Sequence, residues 1–271
     1  MKRHYLAVAI MAVSTISVTA CSNNYQTRKE AATNTSPIIV KDNSHVSWSY
    51  TGDTGPEYWG NIEEASACKI GQQQSPINIA RVMASASTAP TFNYSQSASL
   101  SINDDGHTVV YTPTTGDNII NLNNERFKLK QFHYHTPSEH QFGGQNYPAE
   151  IHFVHANNAG NLAVVGVMLT QGQENSVMSS LLEDTKLSAK NKAEIISSSV
   201  DLAALIPTAP TFYHYAGSLT TPPCSEQVQW YVTKEPLAVA SYQLATLSDL
   251  YEGNNRPIQP QGSRKVEQIR Q

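Results

Sequence analysis

The chain has 271 residues, 39% of them hydrophobic and 15% charged, with a formal net charge of −4 at neutral pH. That length suits one domain with a sizeable core, and the mildly acidic balance gives no footing for a nucleic-acid partner. Three cysteines and nine histidines are the residues whose chemistry needs explaining.

The chain opens with Lys2-Arg3-His4, a positive start, followed from Leu6 to Val18 by an apolar run broken only by Ser and Thr. Together they read as a secretory signal over residues 1–20, too short to span a membrane. The run ends in Val18-Thr19-Ala20-Cys21, which looks like a bacterial lipoprotein lipobox. Cys21 is therefore expected to carry lipid and tie the protein to a membrane; simple cleavage near Ala20 is the alternative. Removing residues 1–20 takes away Lys2 and Arg3 and no acid, so net charge moves from −4 to −6. Residues 21–45 then form the lipidated N-terminus and a tether rich in Ser, Asn, Thr and Ala, with a span of roughly 25–30 Å as a flexible coil. The expected location is the periplasm or cell envelope, and Ser22 is compatible with sorting to an outer membrane in a two-membrane host.

Residues 46–271 remain for one folded domain. Alternation such as Leu100-x-Ile102, Ile151-x-Phe153 and Val228-x-Trp230-x-Val232 predicts many strands. Helices are fewer. One is expected from Ser176 to Leu187. Another runs from Ser241 to Tyr251, with Leu244, Leu247 and Leu250 on one face and Gly253 as its stop. The fold class is α+β and strand-dominated.

The chemistry concentrates in Phe132-His133-Tyr134-His135-Thr136-Pro137-Ser138-Glu139, followed by Glu150-Ile151-His152. In a strand, side chains at i and i+2 leave the same face, so His133 and His135 converge. A neighbouring strand carrying His152 completes three imidazoles, a set that suits catalytic zinc with an open position. A His-x-His pair alone also fits half-buried strand histidines bonded to carbonyls. The polar company favours the metal. Gln131 shares a face with His133 and His135, and Glu150 with His152, and metal-bound histidines need such partners for their second ring proton.

From about Trp48 to about Arg264 the chain resembles the α-class carbonic anhydrases. The resemblance rests on Gly55-Pro56-Glu57-Tyr58-Trp59, Gln74-Ser75-Pro76-Ile77-Asn78-Ile79, Asp105-Gly106-His107, Gln131 to Glu139 and Ala149 to His155. It continues through Leu162 to Gly166, Gly217 to Pro223, Trp230 and Asn254-Asn255-Arg256-Pro257. It implies one large, mostly antiparallel twisted sheet with short peripheral helices and a conical cavity. It also implies reversible hydration of carbon dioxide to bicarbonate by zinc-bound hydroxide, with Zn2+ held by His133, His135 and His152. Gln131, Glu150 and the carbonyl of Asn254 are the implied partners of the three rings. Thr220 is implied to orient the nucleophile and pass its proton toward Glu139. Thr221 is implied to contact bicarbonate, and Val154, Val164, Leu219 and Trp230 to form the wall where carbon dioxide rests. His107 takes the proton-shuttle position, and Tyr50 the solvent side of the cavity.

Two departures from the family pattern touch proton transfer. Asp104 and Asp105 stand where asparagines are common, and Val110 where an amide commonly helps order the cavity waters. Three cysteines permit three pairings. With Cys21 lipidated, Cys68 and Cys224 remain, and bacterial members of the family tend to have cysteines at these two places. A homodimer is one expected form of assembly.

Two rival readings fit the sequence less well. His133-x-His135-x-x-x-Glu139 matches a cupin motif, but the second cupin motif fails at Tyr147, Ala149 and Ala156. A catalytically dead binding domain on the same fold would be expected to lose a zinc histidine, and this chain keeps all three with Glu139 and Thr220.

Overall fold

Period-two alternation in the sequence becomes a set of long strands in the computed structural model, which describes residues 48–191 and 195–270. The expected signal, Cys21 and the tether lie outside the described residues. The strands that carry the argument are β1 (Met83–Ala84), β2 (Ala98–Asp104), β3 (Val109–Pro113), β4 (Glu125–His135) and β5 (Ala149–Ala156). After them come β6 (Leu162–Gln171), β7 (Ile195–Val200), β8 (Thr211–Ser218), β9 (Glu226–Thr233) and β10 (Glu267–Arg270). Among the described residues they run β7-β2-β3-β4-β5-β6-β9-β8-β10-β1 across a 13-stranded sheet, completed by three short strands at its sides.

Most neighbours are antiparallel, as expected, but the sheet is mixed. β6 runs parallel to β9 and to the short strand Leu237–Val239, and β10 runs parallel to β1. Between β6 and β9 the chain detours through a helix and two strands, and a connection of that length allows a return in the same direction.

One face of the sheet builds the main core. Leu100, Ile102, Phe132, Tyr134, Ile151 and Phe153 are buried there. Helix α1 (Ser176–Asn191) covers it with Met178, Leu181 and Leu182, spaced to lie along one helical stripe. This helix runs past the expected end at Leu187. Helix α2 (Ser241–Leu250) adds Leu247, with Leu244 and Leu250 packed beside it. Past its end, Gly253 adopts φ +73°, a conformation that favours glycine, and its N–H donates to the Thr136 carbonyl at 2.7 Å. The chain leaving α2 is thereby bolted to the residue after His135.

The opposite face carries a second apolar cluster of Ile77, Val164, Met168, Tyr215, Val228 and Trp230. A third, smaller cluster joins Trp59, Ala65, Cys68 and Cys224, with Trp48 and Tyr50 against it. Cys68 and Cys224 are disulfide-bonded across 156 residues of sequence.

Candidate metal centre

β4 and β5 pair antiparallel, with His152 opposite His133 and Glu150 opposite His135. The ring centroids of His133 and His135 are 5.0 Å apart, those of His133 and His152 5.4 Å, and those of His135 and His152 4.6 Å. One nitrogen from each ring lies within 4.8 Å of the other two.

A β-bulge makes this possible. Phe127 and Leu129 have the same parity as Gln131, His133 and His135, yet they are buried in the main core. Opposite β5 the register steps from Gln131 against Val154 to Leu129 against His155, which leaves Lys130 as the extra residue. A one-residue step flips every following side chain to the other face. Phe132 and Tyr134 therefore take over the core positions, and the polar set turns toward the site.

Each ring is held from behind. His133 Nδ1 donates to Gln131 Oε1 at 2.8 Å, and His135 Nδ1 donates to the Asn254 carbonyl at 2.5 Å. His152 Nε2 lies 3.0 Å from Glu150 Oε1, a close contact without an aligned hydrogen bond. These contacts assign the remaining nitrogens as lone-pair donors: Nε2 of His133 and His135, and Nδ1 of His152. His135 Nε2 is buried and has no hydrogen-bond partner. A buried acceptor left unpaired is costly, and a metal ion satisfies it.

The electrostatics agree. Burial, reinforced by the neighbouring imidazoles, pushes His133 well below the usual histidine range, and burial also lowers His135. Both rings are thereby kept neutral, the form that binds metal. Burial alone would raise Glu150, but His140 and His152 hold it well below the ordinary carboxylate range. At His152 burial opposes the charged ring and Glu150 outweighs it, raising its basicity. Three imidazoles backed by an amide, a carbonyl and a carboxylate fit zinc by donor type.

Glu150 is also the start of a buried chain of hydrogen bonds. Its Oε2 accepts from the backbone N–H of Glu139 and of His140, each at 2.9 Å, and its Oε1 accepts from His140 Nδ1 at 2.8 Å. His140 Nε2 meets the Tyr215 hydroxyl at 2.7 Å, and that hydroxyl meets Ser75 Oγ at 2.8 Å. Ser75 Oγ accepts from Ser218 N–H at 3.1 Å, while Ser75 N–H donates to Ser218 Oγ at 2.9 Å. The chain thus runs from a metal-ligand partner to the residue two before Thr220. Gly166 and Gly217 are required by close approach: a Cβ would stand 2.7 Å from Glu150 Oε1 at the first and 2.2 Å from Ser75 Oγ at the second.

Glu139 is fixed from the other side. Its Oε1 accepts the Arg256 N–H at 2.7 Å, and its Oε2 lies 3.6 Å from His135 Nε2 and 3.8 Å from His152 Nδ1. That oxygen is buried and has no hydrogen-bond partner, so the expected Thr220–Glu139 hydrogen bond is not formed; the carboxylate leans toward the imidazoles instead. The buried Arg256 guanidinium bonds Gln74 Oε1, the Ser75 carbonyl and the Cys68 carbonyl at 2.8–2.9 Å. Burial pushes it down to about 10, so it remains charged at neutral pH. Thr220 is buried in a loop closed by Leu219 N–H to the Ser225 carbonyl at 2.9 Å and Cys224 N–H to the Thr221 carbonyl at 2.8 Å. The Cys68–Cys224 bridge anchors that loop.

The expected apolar wall is contiguous. Val154 pairs with Val164, and Val164 with Trp230, in one row across β5, β6 and β9. Leu219 packs against the same cluster, and the Trp230 ring lies 4.8 Å from the His152 ring. A cavity beside the three histidines is lined by Tyr50, His107, Val110, Gln131, His133, His135 and Thr221. Trp48 lines it too, and the His107 ring stacks on Trp48, centroids 3.6 Å apart. Asp104 and Asp105 serve the loop backbone. Asp104 Oδ1 accepts from Gly106 N–H at 2.8 Å, and Asp105 Oδ1 accepts from the N–H groups of His107 and Thr108 at 2.9 Å.

His140 and His155 are hydrogen-bonded scaffold. Sequence reasoning missed Ser75, Tyr215 and Ser218 as one network, because Ser75 lies 140 residues from Tyr215 in the chain and gives no local signal of the contact. Arg256 lies within a family motif, and its bonds to Gln74, Ser75 and Cys68 leave no local mark in the sequence.

Comparison with known proteins agrees with this geometry. The family model for eukaryotic-type carbonic anhydrase matches residues 54–270. A carbonic anhydrase of Klebsiella pneumoniae is 40% identical over 222 residues, covering 81% of this chain and 89% of that protein. Among solved structures, the Photobacterium profundum alpha-carbonic anhydrase superposes with a TM-score of 0.74 at 35% identity, covering 82% of this chain and all of that one. The alpha-carbonic anhydrase of Thermovibrio ammonificans, solved with the inhibitor sulfanilamide, gives 0.73 at 36% identity, covering 82% of this chain and 98% of that one. With three imidazoles converging on a strand pair and the family model matching residues 54–270, the chain belongs to the eukaryotic-type (alpha) carbonic anhydrase family, whose reaction is the hydration of carbon dioxide.

Proposed function

We propose that the chain reversibly hydrates carbon dioxide to bicarbonate and a proton at one zinc ion held by His133, His135 and His152. The observation that supports this most is the convergence of three ring nitrogens whose far sides are each occupied by Gln131, the Asn254 carbonyl or Glu150. When bound, zinc supplies hydroxide at neutral pH by lowering the pKa of a water to about 7, the value known for carbonic anhydrases as a class.

The residues of the chain do the rest. Carbon dioxide offers no charge or donor to grip, so the apolar row of Val154, Val164 and Trp230 with Leu219 holds it beside His152. The Thr220 hydroxyl accepts from the attacking oxygen; for its own proton to reach Glu139 Oε2, whose lone pairs no other group uses, that carboxylate turns from the imidazoles toward Thr220. That aims an oxygen lone pair at carbon. Thr221 contacts the bicarbonate formed. His107, on the cavity lining, takes the released proton to buffer, a task suited to an imidazole.

We also propose an exported enzyme with residues 1–20 removed and lipid on Cys21, held in the periplasm or cell envelope. The Cys68–Cys224 bridge supports an oxidising compartment. Labelling cells with a radioactive fatty acid tests the anchor: label should enter the parent protein and not Cys21→Ser.

The main test is stopped-flow hydration of carbon dioxide by purified protein, with zinc measured in the same sample. His133→Ala should lose zinc and activity together. Thr220→Ala should keep zinc and lose about 2.7–4 kcal/mol of transition-state stabilisation, a typical cost for one oriented polar group. A His133→Ala variant with full zinc and full activity would contradict the ligand assignment.

A further inference from the structure

The chain leaving α2 reaches two parts of the site at once. The Tyr251 carbonyl accepts a hydrogen bond from Thr136 Oγ1, directly after the metal-ligand candidate His135. The Tyr251 hydroxyl donates to Asp104 Oδ1, the same oxygen that accepts the Gly106 N–H at 2.8 Å. Asp104 ends β2 and opens the turn that carries His107, with Gly106 at φ +86°. Tyr251 is therefore a strut, fixed at its backbone to the metal strand and at its hydroxyl to the His107 loop.

We infer that Tyr251 is a positioning residue for proton transfer, acting through Asp104 to hold the His107 loop at a set distance from the metal strand. The inference rests on the shuttle role proposed above for His107. The rest of the loop is pinned nearer its base. Asn254 Nδ2 donates to the His107 carbonyl at 3.2 Å and to the Tyr134 carbonyl at 3.1 Å, and Thr108 Oγ1 donates to the Tyr134 carbonyl at 2.8 Å. These bonds seat the loop on β4; its outer corner is closed on itself by the pairing of Asp104 with Val109 and by Asp105 N–H to the Thr108 carbonyl at 3.2 Å, and the Tyr251 hydroxyl ties that corner to the chain leaving α2. The aspartate at 104 has a use in this arrangement. A carboxylate is acceptor-only and can take the phenol and the backbone N–H together. An asparagine turned the right way keeps that oxygen; an alanine does not.

The assignment separates two steps of one reaction. Carbon dioxide and bicarbonate interconvert at the metal without using His107, whereas release of the proton depends on where its ring stands. Loosening the corner should slow the second step and spare the first. A displacement near 1 Å can cost as much as about a hundredfold; a loop still pinned at its base should lose on the order of fivefold.

Oxygen-18 exchange followed by mass spectrometry reads both steps in one sample of the zinc-loaded enzyme. Tyr251→Phe and Asp104→Ala should each slow the release of labelled water about fivefold and leave carbon dioxide–bicarbonate interconversion within about twofold. Added imidazole buffer should restore the lost rate. Asp104→Asn should stay near the parent, and Tyr251→Phe combined with His107→Ala should be no slower than His107→Ala alone. If His107→Ala slows water release and Tyr251→Phe does not, the strut is wrong and the shuttle stands. If His107→Ala has no effect, the shuttle reading fails and the strut falls with it. An equal loss of both rates in Tyr251→Phe also overturns the inference, because it marks general loosening.

Discussion

Glu150 Oε1 accepts a buried hydrogen bond from His140 Nδ1 at 2.8 Å, and the same carboxylate oxygen stands 3.0 Å from the metal-ligand candidate His152. One carboxylate therefore serves two histidines, one toward the metal and one toward Tyr215 and Ser75. The scaffold and the site are joined at a single side chain.

Replacing that charge should be felt at the metal. Glu150→Gln removes the negative charge that orients His152 and raises its basicity. Partners of metal-bound histidines are typically worth about 10–100-fold in metal affinity. Competition between the protein and a zinc-binding dye should show a loss of that size, and unchanged affinity would contradict the role given to Glu150.

Gly217 should be intolerant of a side chain. A Cβ there would stand 2.2 Å from Ser75 Oγ, 2.8 Å from the Tyr215 ring and 2.9 Å from the Trp230 ring, all buried groups. Overpacking of this kind costs about 1–3 kcal/mol. Urea unfolding of Gly217→Ala should show a stability lower by that amount, with hydration activity falling too, because Ser218 follows directly and Thr220 lies two residues beyond it.

Acid sensitivity should trace in part to His155. It is fully buried, its Nδ1 donates to the Ala163 carbonyl at 3.3 Å, and its Nε2 meets the Tyr94 hydroxyl at 2.6 Å. Burial pushes its pKa from 6.5 down to about 3. Between those values the unfolded chain binds a proton that the folded chain refuses. Stability from this group is thus complete above about pH 6.5 and declines as pH falls toward 3, by up to about 1.4 kcal/mol per pH unit. Urea titrations from pH 7 to pH 4 should show a shallower decline in His155→Asn than in the parent; equal slopes would remove His155 from the account.

Much of the site was legible because its signals are local. His133-x-His135, Gln131 and Glu150-x-His152 each need only the two-residue period of a strand. The same reasoning fails over the whole of β4. Phe127 and Leu129 share parity with the histidines, and only the bulge at Lys130, set by pairing with β5, sends the two sets to opposite faces. The parallel pairing of β6 with β9 was equally hidden, since a buried strand reads the same in either direction. The Cys68–Cys224 bridge could be expected from resemblance, and its place against Arg256 and Gln74 could not.

The bridge should matter for the catalytic loop more than for the sheet. A loop of 156 residues closed by a disulfide stabilises the fold by about 5 kcal/mol in the chain-entropy model. The Cys68→Ser, Cys224→Ser double variant should unfold at lower temperature. Hydrogen exchange should rise around Leu219–Ser225 while β4 and β5 stay protected. Finding both thiols free in protein isolated from the cell envelope would remove the bridge from the account.

Zinc titration of stripped protein tests the central claim most directly. Metal is removed with a chelator, zinc is returned in steps, and carbon dioxide hydration is measured at each step. Activity should be absent at the start, rise linearly and break at one zinc per chain, with no such rise in His135→Ala. Hydration at the full rate by protein shown to be free of metal would contradict the account.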